Sequence, residues 1–423
     1  MKTIELRGLD KTLYQETLEN GLEIYLIPYE DKNNYYISYA TKYGSDVLTF
    51  TDEEGEYTPP LGIAHYLEHK MFEEPSGEDP FTFFSVSGSD GNASTSYEET
   101  NYICTGNKAF KENLRYLIQF VNNPYFTDEN VEKEKGIIAE EIKMYEDIPD
   151  YKLEMCLRNN LYHKSPRKLD IAGTIPEINK ITKEDLYRCY HAFYTPNNMF
   201  ILITGKFDVE EAIQIIKEEL ENKESKTPSK IVKPKEKKEV VRKEEILYED
   251  IEVPKIAYGI KVPKTSINMR SFERDLYINM ITTILFGASS EFRERVRKSK
   301  ILNDISTDWE DDEDYKTFYL LATTTEPDQL IEEIEKELSN ISINKKTLER
   351  MKKVWIANEV KMIDNIVRTE YNLFYDIIAY NKVIDNRIDR IRKMNMKDLD
   401  YLLKEMDLSN RSIVKMVSLK AKD

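Results

Sequence analysis

Two of the chain's four histidines, His65 and His69, stand four residues apart in the run GIAHYLEHKMF, with Glu68 beside the second. In a helix, side chains four apart lie one turn from each other on the same face, so both imidazoles can reach one metal ion. Pro59 and Pro60 before the run, and Pro75 and Gly77 after it, leave room for one short helix. At about 100° per residue, Ile63, Leu67 and Met71 form an apolar stripe while His65, Glu68, His69 and Phe72 share another face. The pattern is HxxEH, which sets a carboxylate next to a metal ligand, where it can take a proton from a water that the metal has acidified. Two ordinary surface or core histidines are a poor account of this spacing in a chain so short of histidine.

Catalytic zinc takes three protein ligands and keeps one position for water or substrate, so a third donor must come from elsewhere. The segment after NPYFTD offers one. Thr127 or Asp128 can cap a helix there, and its apolar arc holds Val131, Ile138, Ile142 and Tyr145. Glu134 and Glu141, seven residues apart, fall on the side of that arc, whereas Glu132, Lys135, Lys143 and Glu146 point elsewhere. A buried carboxylate without a cation is costly, so the placement calls for a metal ion or a partly exposed groove. Glu141 is the expected third ligand, and Glu134 the carboxylate that orients a ligating histidine. Glu140, roughly 100° round the helix from Glu141, is the alternative ligand. His163 and His191 lack carboxylates at matching spacing and read as packing or surface residues. Paired ExxH motifs, which a di-iron carboxylate bundle needs, are missing from the sequence.

The elements that must position these groups follow from periodicity. GLEIYLIPY and NYYISYATKYG alternate as strands, and NASTSYEETNYICTGN and NNMFILITGKFD are strand-like again. From Phe110 to about His163 the pattern is helical. The expected fold is α+β, each domain a mostly antiparallel sheet with helices packed on one face. At 423 residues, two domains are expected. Residues 223–243 are rich in Lys, Glu and Pro and read as a solvated linker between a domain at 1–222 and one at 244–423. The halves look like copies of one unit: NYICTGN, a helix and EEIKMYED in the first match FYLLATTT, a helix and NEVKMIDN in the second. In this register Glu141 falls on Glu359 and Glu134 on Lys352, and the second copy has no HxxEH.

Composition limits the partners. A formal charge of −17 argues against nonspecific binding to nucleic acid or anionic membranes. The amino terminus has no apolar h-region and no stretch is long enough to span a bilayer, so a cytoplasmic location is expected. Cys104, Cys156 and Cys189 are too few and too scattered for a disulfide framework or a structural zinc site.

The runs GIAHYLEHKMF, NASTSYEETNY, VEKEKGIIAEEIKMYEDIPD and FYTPNNMFILITGKFD resemble the pitrilysin family of inverzincin peptidases, which includes insulin-degrading enzyme and the mitochondrial processing peptidase, and most of all its short bacterial members. The resemblance covers most of residues 20–220 and, more loosely, the second half. It implies two homologous domains forming half of a clamshell around a proteolytic chamber, a Zn2+ cofactor and a peptide substrate. By motif it makes His65, His69 and Glu141 the zinc ligands, Glu68 the general base and Glu134 the supporting glutamate. It also makes Asn92 and Ala93 the edge-strand positions that hold substrate backbone. Read from the residues alone, small side chains there leave room for an added strand, and an ordinary edge strand is the alternative.

The family's sites also receive an arginine and a tyrosine from a second domain. Here the corresponding stretch reads RVRKSKILNDIS, so that if Arg297 takes the arginine position the tyrosine position falls on Asp304, which cannot offer a phenolic hydrogen bond to an oxyanion. The expected reading is a zinc metalloendopeptidase acting as the zinc-bearing subunit of a heterodimer, whose zinc-free homologue supplies the missing Arg and Tyr. A homodimer and a non-catalytic assembly subunit that keeps its zinc site are the alternatives.

Overall fold

The computed structural model describes residues 1–264, 268–312 and 314–421. These fall into two compact units. The first gathers Met1–Ile142, Asp170–Lys233 and Asn358–Ile388; the second gathers Lys143–Leu169, Pro234–Ala357 and the described residues after Ile388. The division at Lys233 lies inside the charged stretch 223–243, and each unit also takes a segment from the other half of the chain.

The sheet of the first unit runs in the order Lys2–Leu6, Lys11–Thr17, Glu23–Pro28, Met199–Gly205, Tyr35–Thr41, Thr100–Gly106 and Asp90–Thr95. Its neighbours pair antiparallel except Glu23–Pro28 with Met199–Gly205. Its central strands are apolar on both sides, which is why they read as nearly continuous hydrophobic runs. Ile24, Leu26, Ile37, Tyr39, Ile201 and Ile203 face a core built with the helices Ile63–Lys70, Phe110–Asn122 and Asp128–Glu146. Tyr25, Ile27, Tyr36, Ala40, Phe200 and Leu202 face the other way and are covered by Ile366, Leu373 and Ile377 of the helix Ile366–Tyr380. The helices packed on one face are therefore joined by one on the opposite face, drawn from the carboxy-terminal half, because strands apolar on both sides need cover on both.

In the second unit the sheet order is Glu244–Glu249, Arg411–Ser418, Lys255–Pro263, Tyr315–Thr324 and Leu302–Asp311. It too has one parallel pair, Glu244–Glu249 with Arg411–Ser418. The helix Pro149–Leu161 lies on it through Leu153, Leu157 and Leu161 against Ala257, Val414 and Met416. The helices Asp128–Glu146 and Lys345–Ile363, matched by the repeat, are each 19 residues long. Where the first copy has Glu141, the second has Glu359, which meets Arg387 rather than a histidine. No helix among the described residues is long and apolar enough to cross a membrane.

The charged connector is not solvated throughout. Glu236 is 8% exposed and accepts the backbone N–H groups of His163, Lys164 and Ser165 at 2.9, 2.6 and 2.8 Å. The ammonium of Lys261, itself fully buried, donates to it at 2.9 Å. Burial works against the charge of Glu236, but these donors outweigh it and bring its pKa down to about 2. Because the folded value lies below the unfolded one, the stabilisation is complete above the ordinary carboxylate range and is lost as pH falls toward about 2. Glu236→Ala, which leaves Lys261 buried without this anion, is expected to cost about 3 kcal/mol at neutral pH. In urea titrations, its deficit against the unsubstituted protein narrows as pH is lowered from about 4.5 to about 2.

Candidate metal centre

The helix that carries the histidines spans Ile63–Lys70 and begins at Gly62, whose φ of 86° favours glycine. A Cβ on Gly62 would lie 2.2 Å from the Ala172 carbonyl oxygen, so the helix can start only where a bare backbone meets that turn. Ile63, Leu67 and Met71 are buried as the apolar stripe requires. The buried Tyr66 hydroxyl donates to the Val131 carbonyl, tying this helix to Asp128–Glu146. That second helix is capped by Thr127, whose hydroxyl accepts the Asn130 N–H at 3.1 Å while Asn130 Oδ1 accepts the Thr127 N–H at 2.9 Å. Its buried side is Val131, Glu134, Ile138 and Ile142, whereas Tyr145, read from the sequence as part of the arc, is 37% exposed.

Docking the two helices brings one ligand atom each from His65, His69 and Glu141 within 4.8 Å of one another. Among the described residues this is the one group of three such side chains placed to hold a metal ion. His65 Nε2 lies 3.8 Å from Glu141 Oε1, and His69 Nε2 3.3 Å from Glu141 Oε2. His69 Nδ1 donates to Glu134 Oε1 at 3.2 Å, an orientation that turns Nε2 toward Glu141. Glu140 is exposed and outside the group. Among the described residues His65 Nδ1 is buried with no hydrogen-bonding partner, whereas His69 Nδ1 has its orientation set by Glu134. Two imidazoles and one carboxylate are the donor set of an open zinc site, and here they fit that metal.

Glu68 is 8% exposed and accepts a hydrogen bond from the Thr95 hydroxyl at 2.7 Å. Burial raises its pKa, with Glu141 adding to the shift and Thr95 and His69 opposing it. Burial also works against charge on His69, but its hydrogen bonds to Glu134 and Glu141 outweigh this and lift it to about 9. His65 moves down, by burial and by the charge of its neighbour. The hydrogen bond from His69 lowers Glu141. For Glu134, burial is overcome by His69 and Lys70 together, and the group is lowered.

Thr95 ends the edge strand Asp90–Thr95, on which Asn92 and Ala93 also lie. Asn92 is exposed, and its Oδ1 accepts the Ala93 N–H at 2.9 Å. Thr95 and Lys70 escape sequence reasoning because Thr95 is 27 residues from Glu68, Lys70 is 64 from Glu134, and no motif links them. Arg297 and Asp304 are exposed residues of the second unit, Asp304 on its edge strand Leu302–Asp311. Among the described residues, His163 and His191 join no group of three side chains placed to hold a metal ion. The thiols of Cys104, Cys156 and Cys189 are each pushed up by burial to about 12.

Residues 54–175 match the family model described as Insulinase (Peptidase family M16), and residues 180–354 match that of the Peptidase M16 inactive domain. The chain is 38% identical over 365 residues to YmfH of Bacillus subtilis, described as an uncharacterized zinc protease, covering 84% of this chain and 85% of the relative. The crystal structure of a putative M16-like peptidase from Alicyclobacillus acidocaldarius superposes with a TM-score of 0.91 at 29% identity, over 97% of this chain and 99% of that one. The first half of the periplasmic protease PqqL from Escherichia coli has the same fold, with a TM-score of 0.78 at 21% identity over 97% of this chain and 93% of that one.

Two glycines on the paired helices separate the demands of this site from ordinary helix propensity. Gly62→Ala forces a side chain into positive φ against a carbonyl and is expected to destabilise by more than about 1 kcal/mol. Gly136 lies in the interior of Asp128–Glu146, and an added Cβ there would meet nothing within 4 Å, so its replacement by alanine is expected to gain about 0.5–1 kcal/mol. Thermal melts of the two variants should move in opposite directions.

Proposed function

The chain belongs to the insulinase family of peptidases, M16, and from that premise we propose that it is a zinc-dependent endopeptidase acting on peptides or unfolded segments. The observation that carries the reading is the convergence of His65, His69 and Glu141 with the buried Glu68 beside them. His65, His69 and Glu141 would hold the metal. When bound, zinc supplies Lewis acidity, polarising a carbonyl and acidifying water. Glu68, fixed by Thr95, takes a proton from the attacking water and hands it to the leaving amine. Its raised pKa suits a group that must both accept and release that proton. Glu134 keeps His69 in the tautomer that presents Nε2.

The edge strand Asp90–Thr95 has a free side, to which an extended peptide can add main-chain hydrogen bonds near Asn92 and Ala93. Its last residue, Thr95, holds Glu68, so a peptide laid along this strand is brought to the proton carrier. The substrate chamber is completed, in this reading, by a homologous zinc-free subunit that supplies an arginine and a tyrosine, or by a second copy of the chain. Asp304, exposed on its own edge strand, supports the need for a partner because a carboxylate cannot donate to an oxyanion as a phenol does. The same residue favours a second reading, a non-catalytic subunit that keeps the metal for assembly.

Zinc analysis with a peptide-cleavage assay, on the protein alone and with its co-purified homologue, tests these readings. Glu68→Gln should bind zinc as the unsubstituted protein does and cleave nothing. His65→Ala and Glu141→Gln should weaken zinc binding, and Glu140→Gln should leave it unchanged. Turnover that survives Glu68→Gln sinks the mechanism, and a zinc-loaded complex that never cleaves peptides selects the non-catalytic reading.

A further inference from the structure

Lys70 directly follows His69 and has a side chain that is 0% exposed. Taking an ammonium out of water costs several kcal/mol, and its sequence neighbour Met71 shows that an apolar side chain packs fully at this end of the helix. The ammonium has two partners: Glu134 Oε2 at 3.2 Å and Glu73 Oε1 at 3.1 Å. The other oxygen of Glu134 accepts a hydrogen bond from His69 Nδ1 at 3.2 Å. Contacts therefore run in series from Glu73 through Lys70 and Glu134 to His69, whose far nitrogen faces Glu141.

A glutamate carboxyl rotates freely about its last torsion, which has no sharp rotamer. A hydrogen bond to one oxygen leaves that rotation partly open, whereas donors on both oxygens close it. The charge of Glu134 also acts on the neighbouring carboxylate Glu141, and Lys70 is a cation that meets it. We propose that Lys70 is a positioning residue for the metal centre: by holding Glu134 Oε2 it fixes Oε1 as the acceptor of His69 Nδ1 and thereby aims His69 Nε2. The proposal rests on the metal reading of His65, His69 and Glu141.

The test uses the full chain, with zinc dissociation constants from competition with a chromophoric chelator, the visible spectrum of the Co2+-loaded protein, and thermal melts. Lys70→Met, which keeps most of the volume, is expected to melt cooperatively, to weaken zinc binding about 10- to 100-fold, and to shift the cobalt bands as Glu134→Gln does. The double variant should bind zinc no more weakly than Glu134→Gln alone, since both substitutions act through one carboxyl. Unsubstituted zinc affinity with an unshifted cobalt spectrum in Lys70→Met overturns the proposal, as do losses that add in the double variant. If Lys70→Met does not fold, Glu73→Gln, at the more exposed end of the series, should weaken zinc binding in the same direction, and unchanged affinity there overturns it equally. His65→Ala separates the two levels. If it loses zinc while Lys70→Met does not, the positioning role alone fails; if it keeps zinc, the metal reading fails.

Discussion

A carboxylate taken out of water is costly unless a cation or hydrogen-bond donors meet it, and this constraint shapes both the candidate site and the charged stretch of the second unit. Glu134 is met by Lys70 and His69, Glu141 by the two imidazoles, and Glu68 by the hydroxyl of Thr95. In the second unit, Glu236 is met by three backbone N–H groups and Lys261. The repeat solves the same problem with different chemistry. Glu359 stands where the first copy has Glu141, and with no histidine near it in sequence it is paired with Arg387. A candidate metal centre in one copy and an ion pair in the other meet the charge at one position on one helix in two ways.

The sheets set how those helices can be used. In the first unit the central strands are apolar on both sides, so one face holds the helices of the candidate site and the other is closed by Ile366–Tyr380. The covering helix comes from late in the chain, while Pro149–Leu161, from the first half, packs on the other sheet. The exchange of segments follows from burial. An amphipathic helix goes to whichever sheet face lacks cover, and chain order constrains this only through loop lengths.

Much of the candidate site was readable because its parts are local. His65, Glu68 and His69 share a face by helical spacing, and Glu134 and Glu141 recur at seven residues on one helix, so each set is visible as a pattern within a single element. The strands were readable from alternation and β-branched or aromatic content, and the repeat from the recurrence of strand, helix and helix. Other features left no such trace. Tyr145 fits the apolar arc by angle but is exposed, because helical phase does not tell where a neighbouring surface ends. Lysines and glutamates in the charged stretch look alike in composition, so nothing marked Glu236 as the one held by the backbone at 163–165.

The sequence by itself determined the kinds of element, the two faces of the motif helix and the identity of the groups able to hold a metal, since all of these depend on spacing of a few residues. Only the tertiary structure decided which of Glu140 and Glu141 faces the histidines, that Thr95 holds Glu68, that Lys70 is buried against Glu134, and which segments cover which sheet. These are contacts between residues tens to hundreds of positions apart. Their partners are selected by packing and by the need to neutralise buried charge, neither of which has a period along the chain.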